Sequence, residues 1–274
     1  MKTILIIVIS AAALMVLWLF MIAPRIIRRP KIDYFRKFYY AHRGLYNNEA
    51  GVPENSIAAF KKAVEHGYGI EMDLQITKDN FIVIHHDNNI KRMCGKNLFI
   101  NKSNLSEIKQ YRLLDTGESI PTLEQALEVI DGKVPVIFEY KAYASYKKLC
   151  IKAHEILSAY KGRYMTESFH PFAVRAIRKL DPKIAAGQLM CSFRGNESGI
   201  RGRAAAWALR NLLCNFLARP DFIAYKVEDG VNLSFYLSMK LFKAVRVAWT
   251  VNDESTFKKL KRENAMIIFE NFMP

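Results

Sequence analysis

Four short segments hold ionisable side chains at spacings suited to chemistry: Ala41-His42-Arg43-Gly44, Ile70-Glu71-Met72-Asp73, Ile84-His85-His86-Asp87 and Phe138-Glu139-Tyr140-Lys141. Each closes a short apolar run that reads as a buried strand, so each puts its charged groups at a strand end. Together they supply imidazoles, carboxylates, a guanidinium and an ammonium, the inventory for metal-assisted attack on a phosphate ester. Glu71 and Asp73 stand two apart and share one strand face. Glu139 can join them from another strand. Three converging carboxylates repel one another unless a cation lies between them, and Mg²⁺ or Ca²⁺ suits such hard oxygen donors. The plain alternative is solvated acids at strand ends.

The elements that must position these groups alternate along the chain. Candidate strands are Phe38–Ala41, Gly69–Leu74, Phe81–His85, Val134–Glu139, Tyr164–Glu167, Ile184–Leu189, Phe222–Tyr225, Val245–Trp249 and Met266–Phe269. Helical patterns fall at Ser56–His66, Leu123–Asp131, Tyr146–Tyr160, Pro171–Leu180 and Glu254–Asn264. Strand–helix alternation predicts an α/β fold of parallel βα units. Nine strand candidates are one too many for an eight-stranded barrel. The connection from Leu74 to Phe81 is too short for a helical crossover, so one of that pair is expected to be a hairpin arm or a strand extension.

In order along residues 38–274, His42-Arg43-Gly44, Pro53-Glu54-Asn55-Ser56, Glu71-x-Asp73, His86-Asp87, Glu139-x-Lys141, Ser168-Phe169 and Trp249-Thr250-x-Asn252 resemble the glycerophosphodiester phosphodiesterase family. The ending departs from the family's Thr-Asp-x-Pro-like segment and reads Glu270-Asn271-Phe272-Met273-Pro274. The resemblance implies a distorted (β/α)8 TIM barrel over 38–274, with a small insertion at about 91–121 beside its mouth. It implies hydrolysis of a glycerophosphodiester to glycerol 3-phosphate and an alcohol. His42 and His86 would be the general acid/base pair, since imidazoles titrate near neutrality. Strand alternation separates His85 from His86, and the family pattern selects His86. Glu71, Asp73 and Glu139 would hold the divalent metal. Arg43 and Lys141 would hold phosphate oxygens, or merely offset the carboxylates. Glu54 and Asn55 would sit beside metal or substrate, although Asn55 is equally a candidate helix cap. Phe169 and Trp249 would shape the pocket or stack on the glycerol, with core packing as the alternative. Two other readings stay open: a lysophospholipase D acting on bilayer lipid, and a catalytically inactive tethered binding protein. Retention of every acid, base and ligand position argues against the second.

The 274 residues carry a formal charge of +15. Seven basic residues against Asp33 supply six of those charges within the first forty positions. Such a surface suits anionic lipid, phosphorylated substrates or nucleic acid. The aromatics do not interleave with the basic residues, and no nucleic-acid module is present, so nucleic acid is set aside. Cys94, Cys150, Cys191 and Cys214 lack metal-ligand spacing and read as reduced, mostly buried thiols.

Thr3 to Ala23 is uncharged and long enough to cross a bilayer. A basic cluster follows at once, which favours an uncleaved single-pass anchor at 1–24 over a signal peptide, with 25–37 as a basic juxtamembrane linker. The positive-inside rule places the linker and the enzyme on the cytoplasmic side of the cell membrane, where the cluster would also bind anionic lipid headgroups. Residues 200–218 carry Trp207, Leu209, Leu212, Leu213, Phe216 and Leu217 among arginines, the pattern of a basic interfacial helix or of core packing. An interfacial role there would turn the barrel mouth toward the membrane. The leaving alcohol, the preferred metal and the oligomeric state are not legible.

Overall fold

The computed structural model describes residues 1–193 and 202–274. The chain begins with α1 (Lys2–Ile22), apolar on every face, so no stripe directs one side of it to a core. Its residues are exposed as far as Leu17, and only the last turn is packed. The next elements are β1 (Tyr40–Ala41), α2 (Ile57–Glu65), β2 (Gly69–Ile76) and β3 (Ile82–Ile84). Short helices α3 (Lys91–Cys94) and α4 (Leu105–Ile108) form the insertion, followed by α5 (Leu123–Ile130). Strands and helices then alternate: β4 (Val136–Tyr140), α6 (Tyr146–Leu157), β5 (Tyr164–Ser168), α7 (Pro171–Leu180) and β6 (Ala186–Met190). After α8 (Arg203–Arg210) and α9 (Asn215–Ala218) come β7 (Phe222–Lys226), α10 (Leu233–Lys240), β8 (Val245–Val251), α11 (Glu254–Arg262) and β9 (Met266–Phe269).

Eight parallel strands run in the order β1-β9-β8-β7-β6-β5-β4-β2, and pairing of β1 with β2 closes the ring. This is a TIM barrel. The ninth strand candidate is β3, which folds back antiparallel on β2 with Leu74 opposite Ile84. The expected hairpin arm is therefore this element. Its return brings His85 level with Asp73, whose carbonyl accepts the His85 N–H at 3.0 Å.

Inward-facing side chains of alternate strand positions, including Tyr40, Ile137, Met165, Phe222, Val247 and Ile268, fill the barrel. A second apolar layer packs the helices on its outer wall. Helix ends carry local signals: Ser56 Oγ accepts from the Ala59 N–H at 3.1 Å, and Thr122 forms a capping box with Gln125. A cap of this kind is worth about 1 kcal/mol. The insertion has its own small core around Val83, Ile90, Ile100 and Leu113.

Residues 24–38 are not free chain. They cross the base of the barrel, the end at which the strands begin. The Arg25 N–H donates to Pro220 O at 2.9 Å, just before β7. Arg29 donates to the carbonyls of Phe242 and Lys243, just before β8. Arg36 donates to Asn264 O at 3.0 Å, just before β9. Ile32 and Phe35 are buried in the barrel's own interior cluster, and the Tyr40 hydroxyl donates to Phe35 O. This strap seals the barrel floor.

The 200–218 stripe does not form one face. Ile200 and Arg201 lie outside the described residues. The rest breaks at Leu212, which has φ +57°, into α8 and α9. Leu209 and Leu212 are buried while Trp207 and Phe216 are exposed. Core packing and surface display are thus divided within one segment. The last turn of α1 meets the barrel beside α9 and α10, where Ile22 O accepts from Asn215 Nδ2 at 2.9 Å.

Candidate active site

Strand register builds the site. Asp73 on β2 lies opposite Glu139 on β4, and Glu139 lies opposite Glu167 on β5. Glu71 stands on the same face of β2, two residues before Asp73. One ligand atom from each of Glu71, Asp73 and Glu139 can be chosen so that all lie within 4.8 Å of one another. Lys141 Nζ reaches Glu139 Oε2 at 2.7 Å and Asp73 Oδ1 at 3.1 Å.

The charges are out of balance. Burial, with the neighbouring Asp73, Glu139 and Glu167 charges, pushes Glu71 well above the usual carboxylate range. Burial and Glu139 do the same to Glu167. Glu139 is raised to about 7 by burial, against the pull of Lys141. Asp73, despite its burial, is held well below the ordinary value by Lys141, His86 and Arg43. Lys141 and the Arg43 guanidinium, 3.6 Å from Asp73 Oδ2, are two cations against four carboxyl groups. Glu167 Oε2 is buried without a hydrogen-bond partner. The donor set, its spacing and that orphaned oxygen fit a hard divalent cation.

The two histidines enter from opposite sides. His42 follows β1 in a tight turn in which Arg43 has φ +57° and Gly44 φ +82°. A side chain at Gly44 would also meet Ala59 and Phe60 at about 3 Å, so the turn requires glycine. His42 Nδ1 is 2.9 Å from Glu270 Oε2, which leaves Nε2 toward Glu71 at 3.9 Å. Glu270 also accepts from the Tyr46 hydroxyl. Burial and Arg43 lower the His42 pKa, and Glu270 opposes them. His86 follows β3. Its Nδ1 lies 2.7 Å from Asp87 Oδ1, and burial with Lys141 brings it down to about 4. His85 points elsewhere: it is buried, with Nε2 3.2 Å from Asn89 O.

A cleft of about 260 Å³ opens over these groups at the strands' C-terminal end. His42, Arg43, Glu71, His86, Glu139, Lys141, Phe169 and Trp249 all line it, together with Thr250 and Asn252. Phe169 and Trp249 meet edge to face, with centroids 5.7 Å apart. Two named residues stand behind the wall. Asp73 is fully buried, and Asn55 donates to its Oδ2 at 2.7 Å. Ser56, not Asn55, caps α2.

Four participants were not read from the sequence. Glu167 directly precedes the Ser168-Phe169 pair, and only its register with Glu139 marks it. Glu270 occupies the atypical ending and still supplies a carboxylate. Arg92 on α3 bridges Glu54 (2.7 and 2.9 Å) and Asp87 (2.7 Å), a contact no local pattern announces. Lys226 lines the cleft from β7.

A closed barrel whose C-terminal rim gathers acids, imidazoles and cations around one cleft defines a phosphoric diester hydrolase of the TIM-barrel class. Residues 42–273 match the glycerophosphoryl diester phosphodiesterase family, and the chain belongs to that family. It is 36% identical over 208 residues to a glycerophosphodiester phosphodiesterase of Caldanaerobacter subterraneus subsp. tengcongensis, covering 70% of this chain and 82% of the relative. A lysophospholipase D of Rattus norvegicus is 28% identical over 156 residues, 52% of this chain and 48% of that protein. A phosphodiesterase structure from Oleispira antarctica, in complex with sn-glycerol-3-phosphate, shares the fold with a TM-score of 0.68 at 24% identity, over 85% of this chain and 92% of that one.

Proposed function

We propose that this protein hydrolyses glycerophosphodiesters at a membrane, releasing glycerol 3-phosphate and an alcohol with the help of Mg²⁺ or Ca²⁺. The observation that carries this reading is the row of Asp73, Glu139 and Glu167 on three adjacent strands, with Glu71 beside it and an imidazole on either side. Glu71, Asp73 and Glu139 would hold the cation. When bound it would neutralise phosphate charge and lower the pKa of a coordinated hydroxyl.

The chain's own residues do the rest. Arg43 and Lys141 bind and orient the non-bridging phosphate oxygens. His42 and His86 move protons: one takes a proton from the attacking hydroxyl, and the other gives one to the leaving alcohol. The attacking hydroxyl is water or the glycerol's own neighbouring group, and both routes use the same pair. Glu270 and Asp87 each fix a tautomer by engaging Nδ1, which turns Nε2 to the substrate. Asn55 holds Asp73 in place. Phe169 and Trp249 wall the glycerol side.

α1 is long and apolar enough to cross a membrane. We read it as a single-pass anchor with the barrel on the cytoplasmic side, where the basic strap favours retention. The similarity to a lysophospholipase D makes a lysophospholipid headgroup the second substrate to test. The test compares glycerophosphocholine in solution with lysophosphatidylcholine in vesicles. Turnover of the first supports the reading, and turnover of the second alone moves the activity to lipid. Inactivity on both would contradict it.

A further inference from the structure

We propose that the flank of the barrel built by α8, α9 and α10 seats on an anionic bilayer surface, so that the barrel lies on its side and its mouth opens along the membrane. The last turn of α1 is fixed in this flank. Ile22 O accepts from Asn215 Nδ2 at 2.9 Å and from Ser238 Oγ at 3.2 Å. Phe20 meets Phe216 with centroids 6.1 Å apart, and the Arg219 guanidinium lies over the Phe20 ring at 4.4 Å. Asn232 Nδ2 donates to Arg210 O at 2.7 Å and joins the end of α8 to the start of α10. The three helices and the anchor's exit therefore form one surface.

Two independent properties of this surface point to lipid. It displays large apolar side chains: Trp207 is 62% exposed, Leu233 61%, Tyr236 52% and Leu241 56%. Leu233 and Tyr236 lie three apart on the outer side of α10, while Phe235 points into the core. Large apolar groups exposed on linked helices suit an interaction site. The helices of this surface are also of one charge sign, and the acids ahead of α10, Glu228 and Asp229, stand at its mouth end. Residues 203–219 carry Arg203, Arg210 and Arg219 and no acid. Residues 233–244 carry Lys240 and Lys243 and no acid. The strap from 24 to 31, on the adjoining barrel floor, carries Arg25, Arg28, Arg29 and Lys31, again without an acid, although Arg25 and Arg29 are engaged by backbone carbonyls. Asp221, the carboxylate at this junction, is buried and engaged by Arg25 at 3.5 Å. Aromatics among basic residues, without acids, suit anionic headgroups.

Orientation follows from topology. Barrel helices run back from the rim to the base, antiparallel to the strands. A bilayer against the outer side of α10 therefore runs parallel to the barrel axis. The mouth, lined on this side by Lys226 and Glu228 just ahead of α10, then opens sideways at headgroup level.

The proposal takes α1 as the bilayer span, and the test separates the two. Full-length chain is placed in nanodiscs whose anionic or zwitterionic lipid carries bromine near the headgroup end of its acyl chains. One variant keeps Trp207 as its only tryptophan (W18F/W249F), and a second keeps Trp18 (W207F/W249F). Seating predicts strong quenching of Trp207 in anionic discs and weak quenching in zwitterionic ones. R203E/R210E should restore Trp207 emission, because each basic residue near such a surface shifts the seated fraction roughly fivefold. Hydrogen exchange on the unaltered chain should slow at 203–219 and 233–241 in anionic discs only. Quenched Trp18 with unquenched Trp207 and unchanged exchange would overturn the seating and keep the anchor. Quenched Trp207 with unquenched Trp18 would keep the seating and overturn the anchor. Quenching of neither would overturn both.

Discussion

At the residue scale, each histidine in the cleft has a carboxylate behind it, and that pairing sets what each substitution does. In the proposed mechanism His86 transfers a proton, so His86→Ala should lower kcat by roughly 10²–10⁴. His85→Ala should leave kcat nearly unchanged, since that ring faces Asn89 and not the cleft. Steady-state kinetics on both variants decides which imidazole works. Glu270→Gln keeps the size of the side chain but loosens the hold on His42. It should lower kcat by about a hundredfold, with KM little changed, because a misplaced proton-transfer group costs rate and not binding. A fall in affinity alone would give Glu270 a different role. The acid, base and ligand candidates were legible because each sits at the end of an apolar run in a recognisable short motif. Glu167 and Glu270 were not, because each is a single carboxylate with no partner nearby in sequence. Their meaning comes from strand register, which one strand does not reveal.

At the element scale, the β2–β3 hairpin and the insertion act as a brace for His86. The sequence showed that the segment from Leu74 to Phe81 was too short for a crossover. It did not show that α3 would deliver Arg92 between Glu54 and Asp87. Despite burial, Arg92 and Arg43 hold Glu54 at about 2, below its ordinary 4.5. A depressed carboxylate contributes stability above its unfolded pKa and loses it as pH falls through the folded value. The shift corresponds to roughly 3 kcal/mol. Glu54→Gln should therefore lower the unfolding free energy by about that amount at neutral pH. The gap from the natural chain should shrink as pH falls from 4.5 toward 2, and unfolding of detergent-solubilised protein across that range checks it. α10 escaped the sequence reading for a related reason. Leu233, Phe235, Tyr236 and Leu237 fall on several faces of one helix, so no periodic stripe announces it. That distribution is what a helix shows when it packs on a core at one side and exposes apolar groups at the other.

At the scale of the whole molecule, strand–helix alternation implied parallel βα units, and the family resemblance implied the barrel and the site at its mouth. The strap was not implied, because Ile32 and Phe35 are two apolar residues among basic ones, and such a stretch reads as a linker. Phe35→Ala should cost about 3 kcal/mol or more by opening a cavity in the barrel floor, whereas the exposed Lys37→Ala should be neutral. Thermal unfolding of the two variants separates a structural strap from a passive tether. The strap also ties α1 to the base of the barrel and leaves the rim free for chemistry. That chemistry centres on four buried acids faced by Lys141 and Arg43, a set that fits a divalent cation. The direct measurement is glycerol 3-phosphate release from glycerophosphocholine by the full-length protein, first in EDTA and then with Mg²⁺ or Ca²⁺ restored, run beside Glu71→Gln. The account predicts no release in chelator, recovery with one of the two ions, and a variant that needs far more metal and turns over more slowly. Full release in EDTA, with Glu71→Gln indistinguishable from the natural chain, would contradict it.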